Sequence, residues 1–198
     1  VQLGTGRFLT SDDPQTVSVP VSYTHLDVYK RQGVSRGLPS YLFGSKEQLY
    51  QATLERLLQA EHDVIAHAQA AQLADDVSSK VVFATAIRSH LTFLVGRPAF
   101  LKLIGREALQ KEGRLQHSSN YLAILALGRT IITQEVSRGG IRTNDPNHLL
   151  MHVLALCWFP FQHATTIARE LGADWTKPNF VEEHTATVVN LLFNGIRP

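Results

Sequence analysis

From Gly33 to the C-terminus the apolar residues recur at intervals of three and four, and glycine or proline interrupts them where helices would end. Strands would need apolar residues at every second position, so the periodicity predicts an all-α chain. The first long block starts at Lys46 and is expected to reach about Ala71. Ser45 stands as its N-cap, Gln48 completes a capping box, and Tyr50, Leu54, Leu57, Leu58, Val64, Ile65 and Ala68 form one stripe. A second block follows the acidic pair Asp75–Asp76, which suits the positive end of a helix dipole, and runs to about Val95. Its Val81, Val82, Phe83, Ala86, Ile87, Leu91 and Leu94 cover most of the circumference, which implies deep burial. Gly96 closes it, and Pro98 opens a shorter helix to Leu109. Gly113 precedes a long segment, Leu115 to Ser137, closed by Gly139–Gly140. Asn144–Asp145–Pro146 then opens a helix expected to continue to Leu171. Pro160 should kink it, because its nitrogen cannot donate to the Leu156 carbonyl. A last helix is expected over about Asn179–Phe193. Short loops make consecutive helices antiparallel neighbours.

Composition narrows the function classes. With 44% hydrophobic and 18% charged residues, the chain can bury a sizeable core. A single cysteine, Cys157, excludes a disulfide framework and a thiolate zinc site, and points to a reducing, cytoplasmic setting. The net charge of +2 gives nucleic acid no general attraction, so any basic footprint has to be local. The run from Leu149 to Phe161 is interrupted by His152 and falls short of a hydrocarbon core of about 30 Å, so no membrane partner is expected. No basic stretch followed by an apolar run marks a signal peptide at the N-terminus. His148 and His152 share a helical face and His163 lies farther along, but without a His-Glu-x-x-His pattern no metal site is expected. His62, His67, His90 and His117 read as surface or boundary residues. There is no glycine-rich phosphate loop and no Gly-x-Ser-x-Gly elbow, and Glu107 and Glu112 have no evident catalytic partner. Neither an enzyme nor a cofactor is expected.

The most informative stretch is GVSRGLPSYLFGSKEQLY, residues 33–50. Ser35 can cap a helix of about two turns ending at Phe43. Gly44 stops it, and Ser45 caps the next helix at once. So short a helix is marginal alone, so Leu38, Leu42 and Phe43 are expected to pack inward. Arg36, Ser40 and Tyr41 would then face outward, a guanidinium and two hydroxyls suited to phosphates and base edges. Lys46 stands beside them at a helix N-terminus, where free N–H groups favour a phosphate.

GVSRGLPSYLFGSKEQL closely resembles the recognition helix and the following helix start of the tetracycline-repressor (TetR) family of bacterial transcription regulators. The resemblance implies that Arg36, Gly37, Leu38, Ser40 and Tyr41 face the major groove or its phosphate rim, with Lys46 on a phosphate. Leu42 stands where an aromatic is usual. It further implies a helical ligand-binding and dimerisation domain with a small-molecule effector. The expected pocket residues are Phe83, Ile87, Leu91, Phe100, Leu103, Tyr121, Leu125, Trp158 and Phe161; Tyr121 and Trp158 would offer polar tips to a ligand. The last two helices would pair with a symmetry mate as a homodimer through Leu149, Val153, Leu156, Thr185, Val188, Val189, Leu192 and Phe193. Such a twofold assembly would match a palindromic double-stranded DNA operator.

One departure stands out. The family places two more helices before the recognition helix, whereas residues 1–32 carry Gly4, Gly6, Pro14 and Pro20 and no sustained helical period. Residues 20–32, PVSYTHLDVYKRQ, resemble translated linker sequence. The expected organisation is therefore a non-native or disordered segment over 1–32, a partial helix-turn-helix over 33–50 and the ligand-binding and dimerisation domain over 51–198. DNA binding by this chain is expected to be impaired. The alternative is an all-α ligand-binding or dimerisation protein with no nucleic-acid role.

Overall fold

The computed structural model describes residues 38–70, 77–110, 113–142 and 145–196, and every regular element among them is helical. The chain divides into a unit of residues 1–49 and a larger one of residues 50–198.

In the first unit, α1 spans Leu38–Phe43. It ends at Gly44, whose φ of 74° lies in the left-handed region that a side chain disfavours. A Cβ there would also run into the Gln48 side chain. The Gly44 N–H donates to the Ser40 carbonyl at 2.8 Å. Ser45 Oγ then accepts from the Gln48 N–H at 3.1 Å, the cap its position predicts, and α2 runs over Lys46–Ala70.

The larger unit continues with α3 (Ser79–Val95), α4 (Pro98–Ala108), a 3₁₀ turn (Arg114–His117), α5 (Ser119–Ser137), α6 (Pro146–Gln162), α7 (Ile167–Glu170) and α8 (Phe180–Ile196). As its apolar circumference predicts, α3 lies at the centre, packed on α8 most extensively and also on α4 and α6. Leu91 and Leu94 are fully buried there, and Phe83 meets Phe193 of α8 edge-on at 5.7 Å. Phe93 meets Phe100 of α4 in the same way at 5.3 Å. Val64 and Val81, assigned to buried stripes, face outward instead.

Two expected helices are broken. Leu115–Ser137 is divided because Ser118 caps: its Oγ accepts the Tyr121 N–H at 3.2 Å and donates to Glu55 Oε2 at 2.9 Å. The helix from Pro146, capped by Asp145 on the Asn147 N–H at 2.8 Å, stops at Gln162 rather than Leu171. Pro160 has removed one ladder bond there, and Thr165 and Thr166, poor helix formers, follow in a turn.

Buried carboxylates tie the helices together. Glu107 on α4 has a fully buried side chain that accepts from Tyr50 Oη at 2.7 Å, from the Arg114 backbone N–H at 2.8 Å and from Arg114 Nη1 at 3.0 Å. Glu135 on α5 accepts from Ser79 Oγ and, at 3.3 Å, from Arg138 Nη1. No helix among the described residues is long and apolar enough to cross a membrane.

Candidate functional site

The helices of the larger unit leave a partly open space between them. Glu61 of α2, His90 of α3, Ile104 of α4, Tyr121 and Leu125 of α5, and Leu154 and Trp158 of α6 line a cavity of about 280 Å³. It adjoins a narrower one of about 70 Å³ between Phe83, Ile87, Ile132, Leu150 and Cys157, and His90, Ile124, Leu125 and Leu154 belong to both walls. Gly128 lets α5 and α6 approach, since a Cβ there would stand 2.7 Å from Leu150 Cδ1.

The polar part of this wall is a chain of three side chains. Trp158 Nε1 donates to His90 Nε2 at 3.0 Å. An indole N–H only donates, so that imidazole nitrogen carries no proton and the ring proton sits on Nδ1. Nδ1 lies 2.8 Å from Glu61 Oε1, with side chains 7% and 4% exposed. It is close to the carboxylate but out of line with it, and makes no well-aligned hydrogen bond. Burial, and then the charge of Glu61, hold the Tyr121 phenol above its ordinary value. Burial pushes the Cys157 thiol up to about 12, so that it lines the narrow cavity as a neutral group.

In the N-terminal unit, α1 is exposed: Ser40 lies at the surface and Tyr41 is 85% exposed, with Lys46 also at the surface on the first residue of α2. Arg36 and Gly37 lie outside the described residues. Leu38, Leu42 and Phe43 do not pack inward as expected: they are 38%, 61% and 38% exposed.

Residues 81–192, more than half of the chain, match the family described as the tetracyclin repressor-like C-terminal domain. The chain belongs to the tetracyclin repressor-like (TetR) family. Solved structures share the fold. A protein of unknown function from Rhodococcus sp. RHA1 is 17% identical with a TM-score of 0.68, covering 87% of this chain and 84% of its own. A tetR-family regulatory protein from Rhodococcus RHA1 is 11% identical at a TM-score of 0.63, covering 84% of each chain. The TetR-family transcriptional regulator PfmR from Thermus thermophilus is 18% identical at 0.61, covering 85% of this chain and 86% of its own. No curated protein matches the sequence.

On this TetR-like fold the expected pocket residues separate. Phe83 and Ile87 line the narrow cavity, Tyr121 and Trp158 the wider one, and Leu125 both. Leu91 and Phe100 are closed core, Leu103 lines neither space, and Phe161 faces a separate groove beside Trp175. Sequence reasoning missed Glu61 and misplaced His90, which is buried rather than at the surface. Both carried a signal. Glu61 lies three residues after Leu58 and four before Ile65, on the buried stripe of α2, and His90 sits three after Ile87 on a helix apolar over most of its circumference. Among the described residues no three His, Cys, Asp or Glu side chains converge to hold a metal ion.

Six of the expected dimer residues lie in the core of their own chain. Thr185, Val188, Val189, Leu192, Phe193 and Leu149 are all buried within their own chain, Val188 to 1% exposure, so they have no surface left for a partner to cover. Val153 is partly buried against the narrow cavity, and Leu156 is half-buried where its carbonyl meets His184 Nε2 at 3.0 Å. Among the described residues, the large exposed apolar side chains of α6 and α8 are Met151, Phe159 and Leu191. A helix apolar on two faces does not reveal which face its own chain takes.

Proposed function

We propose that this protein is a dimeric DNA-binding transcriptional repressor relieved by a small-molecule effector. The observation that carries the reading is an exposed helix bearing Ser40 and Tyr41, followed by Lys46, on the N-terminal side of a TetR-family domain that holds a largely apolar, partly open cavity. Arg36, Gly37, Leu38, Ser40 and Tyr41 would read the groove and Lys46 a phosphate. Effector bound beside Glu61 acts on α2, the helix that begins at Lys46. It favours one arrangement of the two heads, and a coupling of about 1–3 kcal/mol changes operator occupancy roughly 5- to 150-fold. Self-association uses Met151, Phe159 and Leu191, the apolar surface that α6 and α8 leave uncovered.

Operator binding by this chain itself is weak in this reading. A groove-reading helix whose Leu38, Leu42 and Phe43 stay exposed is poorly held, and residues 1–32, which lie outside the described residues, carry no helical period to support it. Gel shifts on palindromic sites from the source locus test both parts. This chain should bind feebly and with strong salt dependence, whereas a chain carrying the genomic sequence upstream of Gly33 should bind tightly and specifically. Tight specific binding by this chain would refute the impairment. Absence of binding by both would favour an all-α ligand-binding protein without a nucleic-acid role.

A further inference from the structure

The buried carboxylates of this unit are not equivalent. Glu107 accepts from three donors of its own chain and Glu135 from Ser79 and Arg138, as half-buried Glu55 does from Ser118 and Asn120. Glu61 is as deeply buried as the first two. Among the described residues its carboxylate meets one group, the misaligned Nδ1 of His90, and it forms part of the cavity wall. A carboxylate in that position is matched only when something else brings positive charge or hydrogen-bond donors to it.

The rest of the wall restricts what that can be. His90 has no free acceptor, because Nε2 is taken by Trp158, and its one N–H faces Glu61. Among the described residues no lysine or arginine lines either cavity; Arg129 belongs to the outer groove between α5 and α6. An anionic ligand would therefore face Glu61 without a countercharge. A cation would find the carboxylate, the ring faces of Trp158 and Tyr121, and an apolar bed of Ile104, Ile124, Leu125 and Leu154. About 280 Å³ sits at the small end of ligand pockets, room for one ring and a short chain.

We propose that the effector of this cavity is a small lipophilic cation, an amine protonated at neutral pH, whose ammonium head meets Glu61 while its apolar body fills the space between α4, α5 and α6. This rests on the reading of the cavity as an effector site, and the test separates the two.

The probes are 4-phenylbutylamine, 4-phenylbutan-1-ol and 4-phenylbutyrate, alike in body and different in head. Binding to the full chain is followed by calorimetry. It is also followed by the fluorescence of Trp158 in a Trp175→Phe background, which removes the other of the two tryptophans. The amine should bind about tenfold or more tightly than the alcohol, with the carboxylate weakest. Glu61→Gln, nearly isosteric, should abolish that preference and leave alcohol binding unchanged. The calorimetric series on the unaltered chain needs no variant to fold. Equal binding of amine and alcohol, preference for the carboxylate, or indifference to Glu61→Gln would overturn the cationic effector while leaving the cavity a ligand site. If none of the probes perturbs Trp158, the effector-site reading falls with it.

Discussion

Glu107 offers the sharpest test of how the larger unit is held. Its carboxylate is fully buried and satisfies Tyr50 Oη, the Arg114 N–H and Arg114 Nη1 at once, joining α4 to α2 and to the 3₁₀ turn. Glu107→Ala takes the acceptor from Tyr50 Oη and the Arg114 N–H and one partner from the Arg114 guanidinium. Breaking a buried ion pair costs about 3–5 kcal/mol, and the partial exposure of Arg114, 36%, lets water relieve its guanidinium and places the loss toward the lower end. For a chain of this size each kcal/mol moves Tm by about 2–4 °C, so a loss of about 3 kcal/mol lowers it by roughly 6–12 °C. Tyr50→Phe removes one donor and leaves the carboxylate partnered, so it should cost about 1 kcal/mol. The double variant should then cost less than the sum, because the two single changes break the same bond. The phenol supplies a second readout. Burial, then the hydrogen bond to Glu107 and its charge, push Tyr50 up to about 12 from 10.0. The folded state thus holds this proton more tightly than the unfolded one. The stabilisation is complete below pH 10.0 and is lost as pH rises through about 12. Urea melts followed by circular dichroism, with a tyrosinate absorbance titration against Tyr50→Phe, measure both effects. A loss below about 1 kcal/mol for Glu107→Ala would refute the account, since ordinary surface changes stay within about 0.5 kcal/mol.

Phe193→Ala should lower unfolding stability by about 3–5 kcal/mol, because its ring fills the α3–α8 core edge-on to Phe83. Urea melts at several protein concentrations check it, and a loss that vanishes on dilution would return Phe193 to a subunit interface. Leu191→Glu, on the exposed face of α8, should leave chain stability within about 0.5 kcal/mol but weaken self-association in analytical ultracentrifugation. Cys157 in the folded chain should react with Ellman's reagent on the order of a thousandfold more slowly than in denaturant. Its thiol, held up to about 12 against 9.0, contributes stability that is lost as pH rises from 9.0 through about 12. Fast native-state reaction would show that the narrow cavity is open to solvent.

The helices were legible in the sequence because apolar spacing and caps act locally. Ser45, Gly44, Gly96, Pro98 and Asp145 bound their elements where backbone chemistry says they must. The misjudged boundaries were those decided by several small effects together, such as Ser118 dividing a continuous apolar pattern and two threonines finishing what Pro160 began. Burial was less legible. The stripe of Thr185, Val188, Val189, Leu192 and Phe193 is equally suited to a partner subunit or to α3, and only the tertiary arrangement selects α3. Polar groups in the core were the hardest to read. Expecting histidine at the surface is sound on average, and it failed at His90, which a specific network with Glu61 and Trp158 holds in the interior.

That network separates two uses of one side-chain type. A buried carboxylate whose oxygens are all matched from within, as in Glu107, fixes the helices around it and leaves nothing over for a ligand. One matched only by a misaligned imidazole, as in Glu61, leaves interaction energy unrealised at a cavity wall. Replacing each by glutamine should therefore act in opposite directions. Glu107→Gln sets an amide N–H against existing donors and destabilises the chain, whereas Glu61→Gln removes an under-compensated charge and leaves stability unchanged or raised. A thermal melt of the two variants side by side decides it, and a larger loss from Glu61→Gln would mean that Glu61 serves the fold rather than a ligand.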